Sequence, residues 1–180
     1  MSLATDYHRL CSEPSDINEH LPTFVELVTE LNAQHVIELG TRTGVSTIAW
    51  LHALAQTGGR LTSVDIDERP AIGEHEHWTF IQGDDLNPDV VDMLDPAEIV
   101  FIDTSHLYEQ TVHELNLYRW LVKPGGVIVL HDTMLPVPET APPGHPRFPV
   151  RRAVEEFCEA NRYEFFNFPN CWGLGIVKVA

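Results

Sequence analysis

Val36-Ile37-Glu38-Leu39-Gly40-Thr41-Arg42-Thr43-Gly44-Val45-Ser46-Thr47 is the stretch whose reading decides the fold. A short run of mostly apolar residues, a turn with two glycines and the onset of a helical pattern follow one another without a gap. Such a run, lacking strict alternation, suits a strand buried on both faces of a sheet. A helix starting directly after it suits a crossover that returns the chain to a parallel neighbour. Ligands of open parallel sheets bind outside the carboxyl ends of the strands, which is where this turn falls. In the G-x-G-x-x-G turn of a dinucleotide site, the middle glycine lets the backbone approach a pyrophosphate. Arg42 stands at that position, which disfavours a dinucleotide, and no Gly-Lys-Ser/Thr follows to make a P-loop.

The same alternation continues outward. Apolar runs at 35–39, 61–66, 78–81, 98–102 and 127–130 predict five strands, and spacings of three and four predict helices over 46–55, 69–73, 88–94 and 108–121. Residues 1–33 form a leading helical segment, with one helix over 21–32 whose Leu21, Phe24, Val25, Leu27, Val28 and Leu31 share an apolar face. Residues 133–149 carry six prolines, a density that excludes helix and central strand. A connection of that length in a compact domain is expected to be an active-site lid, with a surface insertion as the alternative. A helix over 150–161 and two strands over 163–168 and 174–179 close the chain, the strands as an antiparallel hairpin. Residues 1–180 thus read as a single α/β domain.

The 180 residues suffice for roughly 70% burial of the unfolded chain's surface. A net charge of −16 excludes broad binding to nucleic acid or anionic membranes, both of which need a Lys/Arg surface. Cys11, Cys158 and Cys171 are odd in number and widely spaced, fitting neither a disulfide framework nor a zinc knuckle. With no apolar signal region at the start and no long apolar run, the expectation is a soluble cytoplasmic protein.

Acids fall at three successive strand ends, Glu38, Asp65 and Asp84. Asp65, some 25 residues after Gly40, stands where a carboxylate takes both hydroxyls of a ribose. Asp84 falls where an acid meets an adenine amino group. Farther on, Phe101-Ile102-Asp103 ends one strand, His106 follows it, and Leu130-His131-Asp132 ends the next. Two carboxylates with substrate oxygens suit Mg²⁺, while His131 suits Mn²⁺, Fe²⁺ or Zn²⁺ better. The plainer alternative has His106 beginning a helix that Asp103 caps. His75 and His77 read as a solvated turn. Trp172, Phe165, Phe166 and Phe168 read as core or a dimer face, and Arg147, Arg151 and Arg152 are the one basic cluster.

The ordered set of Val36 to Gly44, Ser63-Val64-Asp65, Gly83-Asp84 and Lys123-Pro124-Gly125-Gly126 resembles the class I S-adenosylmethionine (SAM) dependent methyltransferases over residues 34–180. That resemblance implies a Rossmann-like, seven-stranded, mostly parallel sheet with helices on both faces and an antiparallel C-terminal hairpin. It implies SAM contacts from Glu38, Gly40, Thr41, Gly44, Ser46, Asp65, Asp84 and Asp103, with the glycines against the amino-acid part. The run Asp103-x-x-His106-x-Tyr108-Glu109, then Lys-Pro-Gly-Gly and His131-Asp132, is similar to small bacterial O-methyltransferases related to cephalosporin-biosynthesis and macrolide-sugar methyltransferases. In that branch an acid after strand four and an acidic pair after strand five hold Mg²⁺, and a His acts as base. His106 is thereby implied as catalytic, and Asp103, Asp132 and His131 as the place of a divalent cation, although relatives have a carboxylate where His131 stands. The expected function is SAM-dependent O-methylation of a small hydroxylated acceptor with divalent-metal assistance. The alternatives are a non-catalytic SAM-binding module or partner subunit, and nicotinamide-dependent oxidoreduction, which Arg42 weakens. A homodimer is left open beside a monomer.

Overall fold

The computed structural model describes residues 2–137 and 145–179. Seven strands, β1 His35–Leu39, β2 Arg60–Asp65, β3 Trp78–Gln82, β4 Ala97–Ile102, β5 Val122–His131, β6 Glu164–Phe168 and β7 Leu174–Lys178, form one sheet. Their order is β3-β2-β1-β4-β5-β7-β6. Strands β1 to β5 pair in parallel. β7 enters antiparallel between β5 and β6, as expected of the closing hairpin. The order reverses between β1 and β4, so their carboxyl ends part and leave a crevice.

Helices α1 Leu3–Ser12, α2 Leu21–Leu31 and α3 Val45–Leu54 cover one face of the sheet, and α4 Pro88–Val91, α5 Tyr108–Tyr118 and α6 Pro149–Asn161 the other. α3 is apolar nearly all round and is buried on nearly every side, as a helix enclosed between sheet and outer helices must be. Phe24 stacks on Trp50 at 4.0 Å, and Phe101 of β4 meets Phe24 edge-on at 5.2 Å. This aromatic wedge fixes α2 and α3 on the sheet beneath the crevice.

Three expectations change. The apolar spacing predicts one helix before β1, whereas α1 is a second; Ser2 caps it by accepting from the Thr5 amide, and Leu3, Tyr7 and Leu10 face inward. Residues 69–73 are not a helix: Pro70 breaks the pattern, and Arg69 instead turns back to pair with Glu74 at 2.6 Å. Lys123 to Gly126 belong to β5, which begins five residues earlier than its apolar run, Val122 pairing with Ala97 and a bulge intervening before Val127 pairs with Ile99.

Of the expected lid, residues 138–144 lie outside the described residues. Its two stems are joined by the Val137 amide donating to the Arg147 carbonyl at 2.8 Å.

Candidate active site

A cleft of about 390 Å³ opens at the carboxyl ends of β1 to β4. That volume falls within the usual range for a small-molecule or cofactor pocket. One wall is the 40–44 turn. Gly40 has φ +85°, and a Cβ there would stand 2.0 Å from the Asp103 carbonyl oxygen, so only glycine lets β1 and β4 approach. Asp65, ending β2, holds the turn from below: Oδ2 accepts from the Thr41 amide at 2.6 Å, Thr41 Oγ1 at 2.9 Å and the Arg42 amide at 3.1 Å. Burial works against its charge, but these donors outweigh burial and keep the carboxyl below its usual range. Gly83, Asp84 and Ser46 complete the wall.

Glu38 lies beneath this wall and has no exposed surface. Its Oε2 accepts from Ser63 Oγ at 2.6 Å and Thr47 Oγ1 at 2.9 Å, tying β1, β2 and α3 together, while Oε1 is buried without a partner. Burial pushes its carboxyl up to about 7 against the pull of those hydroxyls.

The other end of the cleft is built from side-chain charge. His106 has φ +58° in the loop before α5, so its ring turns back toward the sheet. Its Nε2 lies 3.2 Å from Asp103 Oδ1 and 2.8 Å from Asp132 Oδ2. Leu107 is the N-cap of α5, so Asp103 does not cap it and His106 does not begin it. His131 Nδ1 lies 3.3 Å from Asp132 Oδ2 and 3.7 Å from Asp103 Oδ1. Burial disfavours both imidazolium rings, yet the carboxylates prevail and push His106 up to about 9 and His131 up to about 10. Asp103 and Asp132 are held below the ordinary range by the same pairs, again against burial.

His131 is 2% exposed, and its Nε2 donates to the Asp16 carbonyl at 3.1 Å and the Cys171 carbonyl at 3.0 Å. Cys171 and Trp172 both adopt left-handed backbone, φ +44° and +60°. For such residues that costs on the order of 1–3 kcal/mol each.

The residues expected at the site therefore fall into four places. Gly40, Thr41, Ser46, Asp65, Asp84, Asp103 and His106 line the cleft, His131 and Asp132 stand behind its far end, Glu38 lies beneath the turn, and Gly44 ends the turn facing Pro70 and Ile72 rather than the cleft.

Other lining groups escape the sequence. Asp16 and Ile17 come from the link between α1 and α2, and Asp16 pairs with Arg42 at 2.9 Å. Asp85 and Glu114 form a buried acid pair beside the cleft; Gln110 Nε2 and Thr104 Oγ1 donate to Glu114 Oε1 at 3.0 and 2.5 Å. Burial, with the charges of Asp84 and Asp65, raises Asp85 against a hydrogen bond from Glu114, while burial and the Asp85 charge push Glu114 up to about 7. Only the doubled Asp84-Asp85 hinted at this pair. Arg151 and Arg152 pair along α6 with Glu155 and Glu156, and Phe165 packs into the core while Phe166, Phe168 and Trp172 stay exposed.

The strand order, the glycine turn at the switch point and the acids along the rim define the class: an α/β chain with the class I SAM-dependent methyltransferase fold. A methyltransferase-domain family model matches residues 37–133, more than half of the chain, and the chain belongs to that family. Rhamnosyl O-methyltransferase of Mycobacterium tuberculosis is 23% identical over 138 residues, covering 70% of this chain and 54% of the relative. O-methyltransferase ankF of Aspergillus thermomutatus is 24% identical over 119 residues, 61% of this chain and 50% of the relative. The chain thus spans about half the length of the curated relatives it matches. The solved O-methyltransferase TomG of Streptomyces achromogenes, in complex with SAM, superposes with a TM-score of 0.70 at 20% identity, covering 99% of this chain and 89% of that one. Among the described residues no helix is long and apolar enough to cross a membrane.

Proposed function

We propose that the chain is a SAM-dependent O-methyltransferase acting on a hydroxyl of a small molecule, with a divalent cation assisting between β4 and β5. The observation that carries this reading is the meeting of a nucleoside-sized acidic cleft with the Asp103, His106 and Asp132 group at one strand rim. A cationic sulfonium suits a rim of carboxylates. One oxygen each of Asp103 and Asp132 and one nitrogen of His131 lie within 4.8 Å of one another, a donor set that fits a divalent cation.

SAM, when bound, supplies an electrophilic methyl group, and a divalent cation supplies Lewis acidity and a template for the acceptor. The chain's own residues do the rest. The 40–44 turn and Ser46 receive the amino-acid end of the cofactor, Asp65 the ribose and Asp84 the adenine. The rim orients the acceptor hydroxyl for in-line attack, so that an intermolecular transfer gains from proximity. His106, protonated while Asp103 and Asp132 face it alone, would lose that proton more readily when a cation shares their charge and could then take up the hydroxyl proton at Nε2, where the two carboxylates would stabilise the imidazolium.

Binding without transfer has no use for a His106 ring held between two carboxylates. The test is methyl transfer from labelled SAM to a panel of hydroxylated small molecules, alongside calorimetry with S-adenosylhomocysteine (SAH). Transfer that chelation and Asp103→Ala both reduce supports the full reading. SAH binding with no acceptor methylated leaves a binding module instead, and chelator-insensitive transfer removes the cation. Free Cys11, Cys158 and Cys171 support a reducing, cytoplasmic setting. A second copy against exposed Phe166 and Phe168 is the assembly that sedimentation would detect.

A further inference from the structure

We infer that His131 is a nitrogen ligand of that cation and that it makes the site select a transition metal such as Mn²⁺ or Co²⁺ over Mg²⁺. This rests on the proposed cation site and specifies its occupant. The ring's orientation is the first support. Nε2 faces two carbonyl oxygens, those of Asp16 and Cys171, and a carbonyl can only accept. The Nε2 proton is therefore fixed there, and Nδ1, whose own proton a bound cation would displace, is the atom presented to Asp103 and Asp132.

The separations are the second support. Nδ1 lies 3.3 and 3.7 Å from the two carboxylate oxygens, at and beyond the limit of a good hydrogen bond. Donors that share one small ion at about 2.1 Å lie roughly 3–4 Å apart, which these separations match.

The third support is how much of the chain holds the ring. One carbonyl comes from the link between α1 and α2, the other from the β6–β7 turn, where Cys171 and Trp172 sit in left-handed backbone. Beside it, buried His20 bonds the Asn170 carbonyl through Nε2 at 2.8 Å and meets the His131 ring edge-on at 6.0 Å. Carbonyls that fix the far nitrogen of a ligating imidazole are the usual outer support of a metal site. Imidazole is a borderline donor that suits transition ions, whereas Mg²⁺ prefers an all-oxygen shell and keeps its waters.

The test uses the full chain stripped with a chelator, titrated separately with Mn²⁺, Co²⁺ and Mg²⁺, with SAH binding measured in parallel. Mn²⁺ and Co²⁺ are expected to bind at least about tenfold more tightly than Mg²⁺. Electron spin-echo spectroscopy of the Mn²⁺-loaded protein is expected to show a directly coordinated imidazole nitrogen. That signal persists in His106→Gln and is lost in His131→Asp, which narrows the gap between Mn²⁺ and Mg²⁺. The wild-type spectrum keeps the test decisive should His131→Asp fail to fold. Equal affinities, or bound Mn²⁺ without the nitrogen signal, overturn the inference while leaving a cation site. If SAH binds but none of the three ions does, the cation site falls with it, and His131 acts instead as a fixed partner of the carboxylates.

Discussion

Asp65 and Asp132 both end parallel strands of the same sheet, at opposite ends of one cleft, yet they are satisfied in different ways. Asp65 is met by backbone amides and a hydroxyl of the turn it supports. Asp132 is met by two imidazole rings brought from different elements. The first arrangement is local and holds the turn in shape before any ligand arrives. The second depends on charge and on the distant carbonyls that aim His131. One end of the cleft is thus held by local hydrogen bonds and the other by charge; under the proposed function, substitutions at the two ends should separate affinity from rate.

The largest effect is expected from Asp132→Asn at the charged end. Methyl transfer should fall by roughly 10²–10⁴-fold, the usual worth of acid–base assistance, while calorimetry gives an SAH affinity within about threefold of wild type. An equal loss of SAH affinity would break the division between the ends.

Asp65→Ala should do the reverse. The turn amides lose a charged acceptor, costing about 2 kcal/mol in denaturant unfolding, and SAH affinity should drop by at least about tenfold. The rate at saturating cofactor should change far less.

Glu38 sharpens the comparison through pH. Its folded carboxyl sits at about 7, above its ordinary 4.5. The unfolded chain therefore releases this proton first, and stability falls as pH rises from about 4.5 to 7. Glu38→Gln should flatten that slope, by an amount on the order of a few kcal/mol across the window. Thermal unfolding scans at intervals across it measure the change. An unchanged slope would assign the pH dependence to another group.

Arg42→Ala should do least. Its ion pair with Asp16 bridges the cleft mouth, but the Arg42 side chain is 77% exposed. Such pairs contribute about 0–1 kcal/mol, so the melting temperature should move by no more than about 3 °C, with SAH affinity within about twofold.

The two ends were also unequally legible. Strands β1 and β4 and the second half of β5 are readable because strands buried on both faces are largely apolar, and Gly40 is readable because it closes such a run. The acids at 65, 84, 103 and 132 follow from where those runs stop. Geometry that depends on distant chain was hidden. Nothing local says that the Asp16 carbonyl bonds a ring 115 residues away, or that His106 takes left-handed backbone and turns back between two carboxylates. Glu38 was placed among the cofactor contacts, while the fold uses it to tie β1 to β2 and α3. Pro70 carried a readable warning against the helix expected over 69–73, and Leu3, Tyr7 and Leu10 carried an overlooked signal for α1.

The bond between Val137 and Arg147 has a consequence for how such a chain diversifies. Because the base of the proline-rich segment is tied, its length is uncoupled from the sheet below. Doubling the loop between tied ends costs only about 0.6 kcal/mol of closure entropy. Insertions between the two stems are therefore expected to leave the thermal unfolding of the sheet nearly unchanged.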